Sequence, residues 1–241
     1  MNMHATAVKS DDSDSPAILK NVANMLILIE TVRQRPELSS GFGMFYGPSG
    51  YGKSVAATYA QNREGCIYLQ VREYWTRKDF YTKFLQELGH KKPRGTNSQM
   101  MEEIIFTLGS GSGQAVIIDE ADKLVDKKMI ELVRDIQETT GVPVILVGEE
   151  QLDQKLRRYE RVHGRVLDSK KALPCDAEDA LELAAKIAPG VEIADDLLHH
   201  ILTETAGSTR RVANTLYAVF NIARRGNLPV VSLAAYRQAV A

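Results

Sequence analysis

Two short stretches carry residue types and spacings that could do phosphate chemistry. In Gly47-Pro48-Ser49-Gly50-Tyr51-Gly52-Lys53-Ser54, a lysine and a hydroxyl stand directly behind a glycine-rich turn. This fits G-x-x-x-x-G-K-[ST], the loop whose backbone wraps the phosphates of a nucleoside triphosphate. Lys53 is expected to reach the β- and γ-phosphates, the Ser54 hydroxyl to ligate Mg²⁺, and Val55 to open a helix whose free N–H groups and dipole face the anion. The second stretch, Ala115-Val116-Ile117-Ile118-Asp119-Glu120, places two carboxylates behind four apolar residues. Asp119 suits the Mg²⁺ shell, and Glu120 suits orienting and activating water. A carboxylate that merely caps the next helix is the simpler reading of such a strand end. The phosphate loop ahead of it argues for the chemical one.

These residues need a particular scaffold. Phe42-Gly43-Met44-Phe45-Tyr46 reads as a buried strand feeding the loop, and Val55-Ala56-Ala57-Thr58-Tyr59-Ala60 as the helix behind it. Residues 66–71, 115–120 and 143–148 read as further buried strands, with a short fifth strand within 166–173. Between them, Asp79 is expected to cap a helix carrying Phe80, Phe84, Leu85 and Leu88. Ser98 is expected to cap another carrying Met101, Ile104, Ile105 and Leu108. The spacing also predicts a helix over 129–138 and an amphipathic helix from about residue 16, with Ser15-Pro16 at its start. Gly109-Ser110-Gly111-Ser112-Gly113 reads as a hinge. Strands alternating with helices imply an α/β fold with a parallel central sheet flanked by helices.

From Asp176 onward the periodicity is helical only, over 180–187, 195–205, 210–224 and 232–240, the last behind a possible Ser232 cap. The organisation read from the chain is an acidic disordered tail at 1–15, an α/β nucleotide-binding domain at 16–174, and a small all-α lid at 175–241.

Composition narrows the class. Among 241 residues, 44% are hydrophobic and 25% charged, values usual for a soluble globular protein. A net charge of −1 excludes a histone-like polycation, so any nucleic-acid surface must be a local patch. Cys66 and Cys175 have no metal or redox spacing and read as buried reduced thiols of a cytoplasmic protein. No apolar run approaches membrane-spanning length and the N-terminus is acidic, so neither a membrane span nor secretion is expected.

Together, the phosphate loop, the Ile-Ile-Asp-Glu strand, the arginines after the fourth strand, and Ala206-Gly207-Ser208-Thr209-Arg210-Arg211 in the lid resemble an AAA+ ATPase over roughly residues 17–240. Size and layout are similar to the compact transposition ATPases, which include the phage Mu transposition protein B and the TniB and TnsC proteins of bacterial transposons. The resemblance implies ATP and Mg²⁺ as cofactors. It implies that Gly47, Pro48, Ser49, Gly50, Tyr51, Gly52, Lys53, Ser54 and Val55 contact the nucleotide, and that Asp119 and Glu120 form the Walker B pair. Arg210 would be the sensor-2 arginine, and Arg161 or Arg165 a finger reaching a neighbouring subunit. A solvated helix face is the plainer reading of each arginine. The family usually has a neutral polar residue at the tip of the fourth strand, whereas Gly148 here is followed by Glu149 and Glu150. Near a γ-phosphate a carboxylate repels, so Glu149 either points elsewhere or makes a weaker sensor.

The same resemblance implies double-stranded DNA, a transposase and self-association into rings or filaments as partners, in a bacterial cell or encoded by a phage or transposon. Relatives grip DNA with loops near the second strand. The matching residues are Arg72, Thr76, Arg77 and Lys78, followed by Lys91, Lys92 and Arg94; basic side chains and hydroxyls suit phosphate contacts. Trp75 is expected in the core. Two other readings share the motifs: a helicase loader or replication initiator, and a secretion-associated ATPase that binds no DNA.

Overall fold

The computed structural model describes residues 19–36, 38–111 and 113–240. The expected tail at 1–15 and the Ser15-Pro16 helix start lie outside them. Within them the first helix, α1, spans Lys20–Arg33 and buries Val22, Met25, Leu28, Ile29 and Val32 on one face.

Five strands follow in the chain: β1 (Phe42–Tyr46), β2 (Ile67–Gln70), β3 (Val116–Asp119), β4 (Val144–Gly148) and β5 (Val166–Lys171). They form one sheet in the order β2-β3-β4-β1-β5, every pairing parallel. The continuous apolar runs of β3 and β4 are explained by burial on both faces. Edge strand β5 instead alternates half-buried and exposed positions. Because all strands run the same way, the ends of β1, β3 and β4 meet at one edge of the sheet, where ligands of parallel α/β proteins bind.

Helices α2 (Lys53–Glu64), α3 (Arg77–Glu87), α4 (Asn97–Gly109), α5 (Ala121–Asp126), α6 (Ile130–Thr140), α7 (Leu152–Leu156) and α8 (Glu160–His163) connect the strands. Alternate strand residues enter opposite cores. Phe42, Met44, Val116, Ile118 and Leu146 pack with Phe80, Phe84 and Ile104 on one face. Phe45, Ile117, Ile145 and Val147 pack with Leu28 and Ala56 on the other. Each fully buried phenylalanine contributes about 1.5–3 kcal/mol.

The helix starts differ from expectation by three residues in α3 and two in α4. Thr76 caps α3: its hydroxyl accepts from the N–H of Asp79, while the Asp79 carboxylate accepts from the N–H of Thr76. Thr96 and Gln99 make the same box for α4, so Ser98 lies inside that helix. A reciprocal pair satisfies two orphan donors, where a lone cap at Asp79 or Ser98 would satisfy one.

Beyond β5 come α9 (Ala177–Ile187), α10 (Asp195–Thr205), α11 (Thr209–Gly226) and α12 (Leu233–Val240). They surround a core of their own that includes Leu197, Ile201, Val212, Leu216 and Val219. The expectation of helices alone omits one feature, a parallel pairing of β6 (Glu192–Ile193) with β7 (Val230–Val231). It ties two inter-helix loops and is too short to leave a periodic signal. Among the described residues no helix is long and apolar enough to cross a membrane.

Candidate nucleotide site and nucleic-acid surface

The loop between β1 and α2 takes a conformation that only glycine adopts freely. Gly50 and Gly52 have φ of +84° and +80°. A side chain at Gly50 would also come within 2.6 Å of the Ser208 hydroxyl. Lys53 is buried at the start of α2, and its Nζ donates to the carbonyls of Gly47 (2.7 Å) and Pro48 (2.8 Å), on the inside of the loop. Burial pushes its pKa down, opposed by the carboxylates of Asp119, Glu149 and Glu120. The lysine charge therefore sits in a field of surplus negative charge.

Asp119 ends β3 and is 2% exposed. Its Oδ1 accepts from the N–H of Glu120 (2.9 Å) and its Oδ2 from the hydroxyl of Tyr68 (2.8 Å). Strand alternation accounts for the contact. Tyr68 is paired with Ile117, so Asp119 is its diagonal neighbour on the face covered by α2. Burial and the adjacent Asp119 raise the pKa of the Tyr68 phenol, which keeps it a donor.

Glu120 has φ +59°, a left-handed conformation costing about 1–2 kcal/mol for a residue with a Cβ. Its carboxylate meets Lys123 Nζ at 3.1 Å. At the tip of β4 the N–H of Glu149 donates to Asp122 Oδ2 (2.6 Å), and Asp122 Oδ1 lies 3.9 Å from Lys155 Nζ. A Cβ at Gly148 would come within 2.2 Å of that same Oδ2, so a side chain there would displace the Asp122 carboxylate. Burial raises the pKa of Asp122.

The helical region closes over the loop. The N–H of Arg210 donates to the Gly50 carbonyl (3.0 Å), and the Tyr51 hydroxyl donates to the Ala206 carbonyl (3.2 Å). Lys20 pairs with Asp176 and, at 3.4 Å, with Asp179. Asn21 donates to the carbonyls of Tyr51 and Leu173 and accepts from the N–H of Leu173, joining α1, the loop and the segment leading to α9. A cavity of about 320 Å³ results. Gly50, Lys53, Ser54, Asp119, Glu120, Glu149 and Arg210 line its polar side, and Leu19, Val22, Val55, Leu183 and Ala213 its apolar side.

The mixture of loop, charged and apolar residues in the lining suits a nucleotide, which has both phosphates and a flat base. Glu149 is among the residues that line the cavity and is itself exposed. No group of three or more His, Cys, Asp or Glu residues able to hold a metal occurs among the described residues. The donors Ser54 and Asp119 suit a Mg²⁺ ion that takes its remaining ligands from phosphates and water.

Residues expected to act in trans lie elsewhere. Arg165 pairs with Glu138 and donates to the Arg161 carbonyl, whereas Arg161 is exposed. Arg72, Arg77 and Lys78 are exposed around the N-terminus of α3, and Lys91, Lys92 and Arg94 are exposed beyond its C-terminus. The eleven residues of α3 separate the two basic groups by about 16 Å. Trp75 is buried at 6% exposure, as expected. The Thr76 hydroxyl is engaged with Asp79, donating to Oδ2 at 2.7 Å. That capping role competes with any phosphate contact expected of it.

Tyr68, Asn21 and Asp122 were not singled out by sequence. Asp122 had a local signal, as the third carboxylate of Asp119-Glu120-Ala121-Asp122. Asn21 had none.

Residues 37–156 match the family model of an AAA domain. None of the curated proteins matches the chain. Among solved structures, the Aeropyrum pernix ORC1 protein in complex with DNA is similar at 19% identity and a TM-score of 0.66, covering 96% of this chain and 67% of that one. Drosophila ORC bound to DNA is similar at 15% identity and a TM-score of 0.61, covering 100% of this chain and 69% of that one.

Proposed function

We propose that this chain, which carries an AAA domain on an AAA+ fold, is an ATP-gated, sequence-nonspecific DNA-binding ATPase. The observation that carries the reading is the cavity at the loop, whose lining includes Lys53, Asp119, Glu120 and Arg210. Lys53 and Arg210 hold the phosphates, Glu120 orients the attacking water, and Ser54 with Asp119 holds Mg²⁺, which neutralises phosphate charge. Arg161, exposed and outside the cavity, is the better candidate for reaching a second copy; Arg165 is already paired. Glu149 adds a negative charge where charge develops, so unassisted turnover is slow and rises when a partner supplies a cation.

Nucleotide bound between copies favours the assembled state by its higher affinity for that state. The assembly forms on duplex DNA as a ring or filament, delivers the target to a transposase, and comes apart on hydrolysis. Its proposed compartment is the cytoplasm of a bacterial host, where buried reduced thiols such as Cys66 and Cys175 are usual.

A second reading, a replication initiator or helicase loader, is favoured by the two DNA-bound initiator structures that share the fold. Electron microscopy with random-sequence duplex in ATP, in ADP and without nucleotide tests both. Assemblies only with ATP and duplex support the first reading. ATP hydrolysis stimulated by a replicative helicase and not by a transposase would replace it with the second. Rings that ignore DNA would overturn both.

A further inference from the structure

The turn between β2 and α3 carries an exposed aromatic ring that the fold gives no reason to expose. Tyr74 is 76% exposed, while its neighbour Trp75 is 6% exposed and packs in the core with Phe80 and Phe84. The turn is held at both ends. The N–H of Trp75 donates to the Arg72 carbonyl (3.2 Å), which puts Glu73 and Tyr74 at the tip of a tight turn. The buried Trp75 and the Thr76–Asp79 capping box then anchor the exit. A ring presented on a fixed turn loses little conformational freedom on binding a flat partner.

Its surroundings select the partner. Arg72, Arg77 and Lys78 flank Tyr74 in sequence, are exposed, and have no ion-pair partner among the described residues. Arg77 and Lys78 occupy the first turn of α3, at the positive end of its dipole, where Asp79 is the one acidic residue of that turn, and the nearby Glu73 carboxylate lies 3.8 Å from Lys127 Nζ. An anion arriving there relieves that accumulation of positive charge. Phosphates held by three cations around one flat ring describe a nucleic-acid strand with a base on the ring.

The turn is also joined to the nucleotide site. The N–H of Val71, at the exit of β2, donates to the Asp119 carbonyl (3.0 Å), and Tyr68 in the same strand holds the Asp119 carboxylate.

We infer that Tyr74 is a nucleobase-stacking residue, taking a base freed from its neighbours in DNA whose backbone is held by Arg72, Arg77 and Lys78. The inference rests on the DNA-binding reading above and adds to it a preference for locally unpaired DNA. An intact duplex offers no free base face, so the ring contributes little there.

Binding is measured with two probes, a random-sequence duplex and the same duplex with a short unpaired bubble containing fluorescent aminopurine. Both are titrated with the full chain and ATP. The wild-type protein is expected to prefer the bubble and quench its fluorescence. Tyr74→Ala loses roughly 5- to 150-fold in affinity for the bubble, the effect of one lost stack, with little change on the duplex. Tyr74→Phe retains both binding and quenching. Arg77→Ala weakens both probes and flattens the salt dependence. Wild-type binding to both probes with Tyr74→Ala unchanged, or equally weakened on each, overturns the inference and leaves the DNA-binding reading standing. Failure of the wild type to bind either probe overturns both.

Discussion

The hydroxyl of Tyr68 donates to Oδ2 of Asp119 across 2.8 Å, joining the middle of β2 to the carboxylate at the end of β3. With the N–H of Glu120 on Oδ1, both oxygens of the carboxylate are held, which would orient it toward the Mg²⁺ proposed beside Ser54. Tyr68→Phe removes one bond and leaves a buried oxygen without a partner, a loss of about 1–3 kcal/mol. The expected outcome is a folded protein with a lower melting temperature and roughly tenfold weaker Mg²⁺-dependent ATP binding, a factor of ten being about 1.4 kcal/mol. Calorimetric titration with and without Mg²⁺ checks it; unchanged affinity would remove Tyr68 from the site.

Glu149 lines the same cavity as Lys53, and its carboxylate acts on the Lys53 charge; in the proposed site it would repel the phosphates that Lys53 would attract. Glu149→Gln keeps the shape and removes the charge. ATP affinity and unstimulated hydrolysis are both expected to rise, by roughly threefold to tenfold, about 0.7–1.4 kcal/mol. Steady-state kinetics decide the point. A fall in hydrolysis would make the carboxylate a participant in the reaction and not a brake.

Lys20 fastens the helical region to α1 through Asp176 and Asp179. The hydrogen bond from Lys20 holds the Asp176 carboxyl below its ordinary value of 3.8. A depressed carboxylate contributes stability above its unfolded value and loses it as pH falls through the folded one. Docking of the helices should therefore hold to about pH 4 and weaken below it, and Asp176→Asn should abolish that acid step. Acid titration followed by Trp75 fluorescence and by protease sensitivity near Leu173 measures it.

Both thiols are buried, Cys175 on the segment that carries the docked helices. Burial pushes Cys66 up to about 11 and Cys175 up to about 12, from an ordinary 9.0. A raised acid contributes stability below its unfolded value and loses it as pH rises toward the folded one. Stability should thus decline from pH 9.0 upward, and Cys175→Ser should shift that decline. At neutral pH both thiols should resist alkylation. ATP should slow the labelling of Cys175 further, because the N–H of Cys175 donates to the Gly207 carbonyl beside the docked loop.

The phosphate loop and the Asp119-Glu120 pair were legible because their chemistry is contiguous in sequence and their flanks are pure strand and helix patterns. Tyr68 was not, since its partner is 51 residues away and depends on β2 lying beside β3. The bond from Glu149 to Asp122 spans 27 residues and needs the tip of β4 to land over α5. The capping boxes at Thr76 and Thr96 were legible in principle, as threonine followed three residues later by Asp or Gln. The cap-type side chains of Asp79 and of Ser98, both inside the helices, drew the boundaries inward. Which of Tyr74 and Trp75 faces solvent is set by the turn that Arg72 closes, and no local pattern encodes it. Arg165 looked as available as Arg161 until folding brought Glu138 against it.

In the proposed function, nucleotide held by Lys53 controls DNA binding. The direct measurement is fluorescence anisotropy of a random-sequence duplex at fixed salt, titrated with wild type and Lys53→Ala in ATP, in ADP and without nucleotide. Tight binding is expected for wild type in ATP alone and at least tenfold weaker binding in every other combination, a gap of about 1.4 kcal/mol or more. Wild-type affinity for DNA in the Lys53→Ala protein, or equal binding with and without ATP, would contradict it.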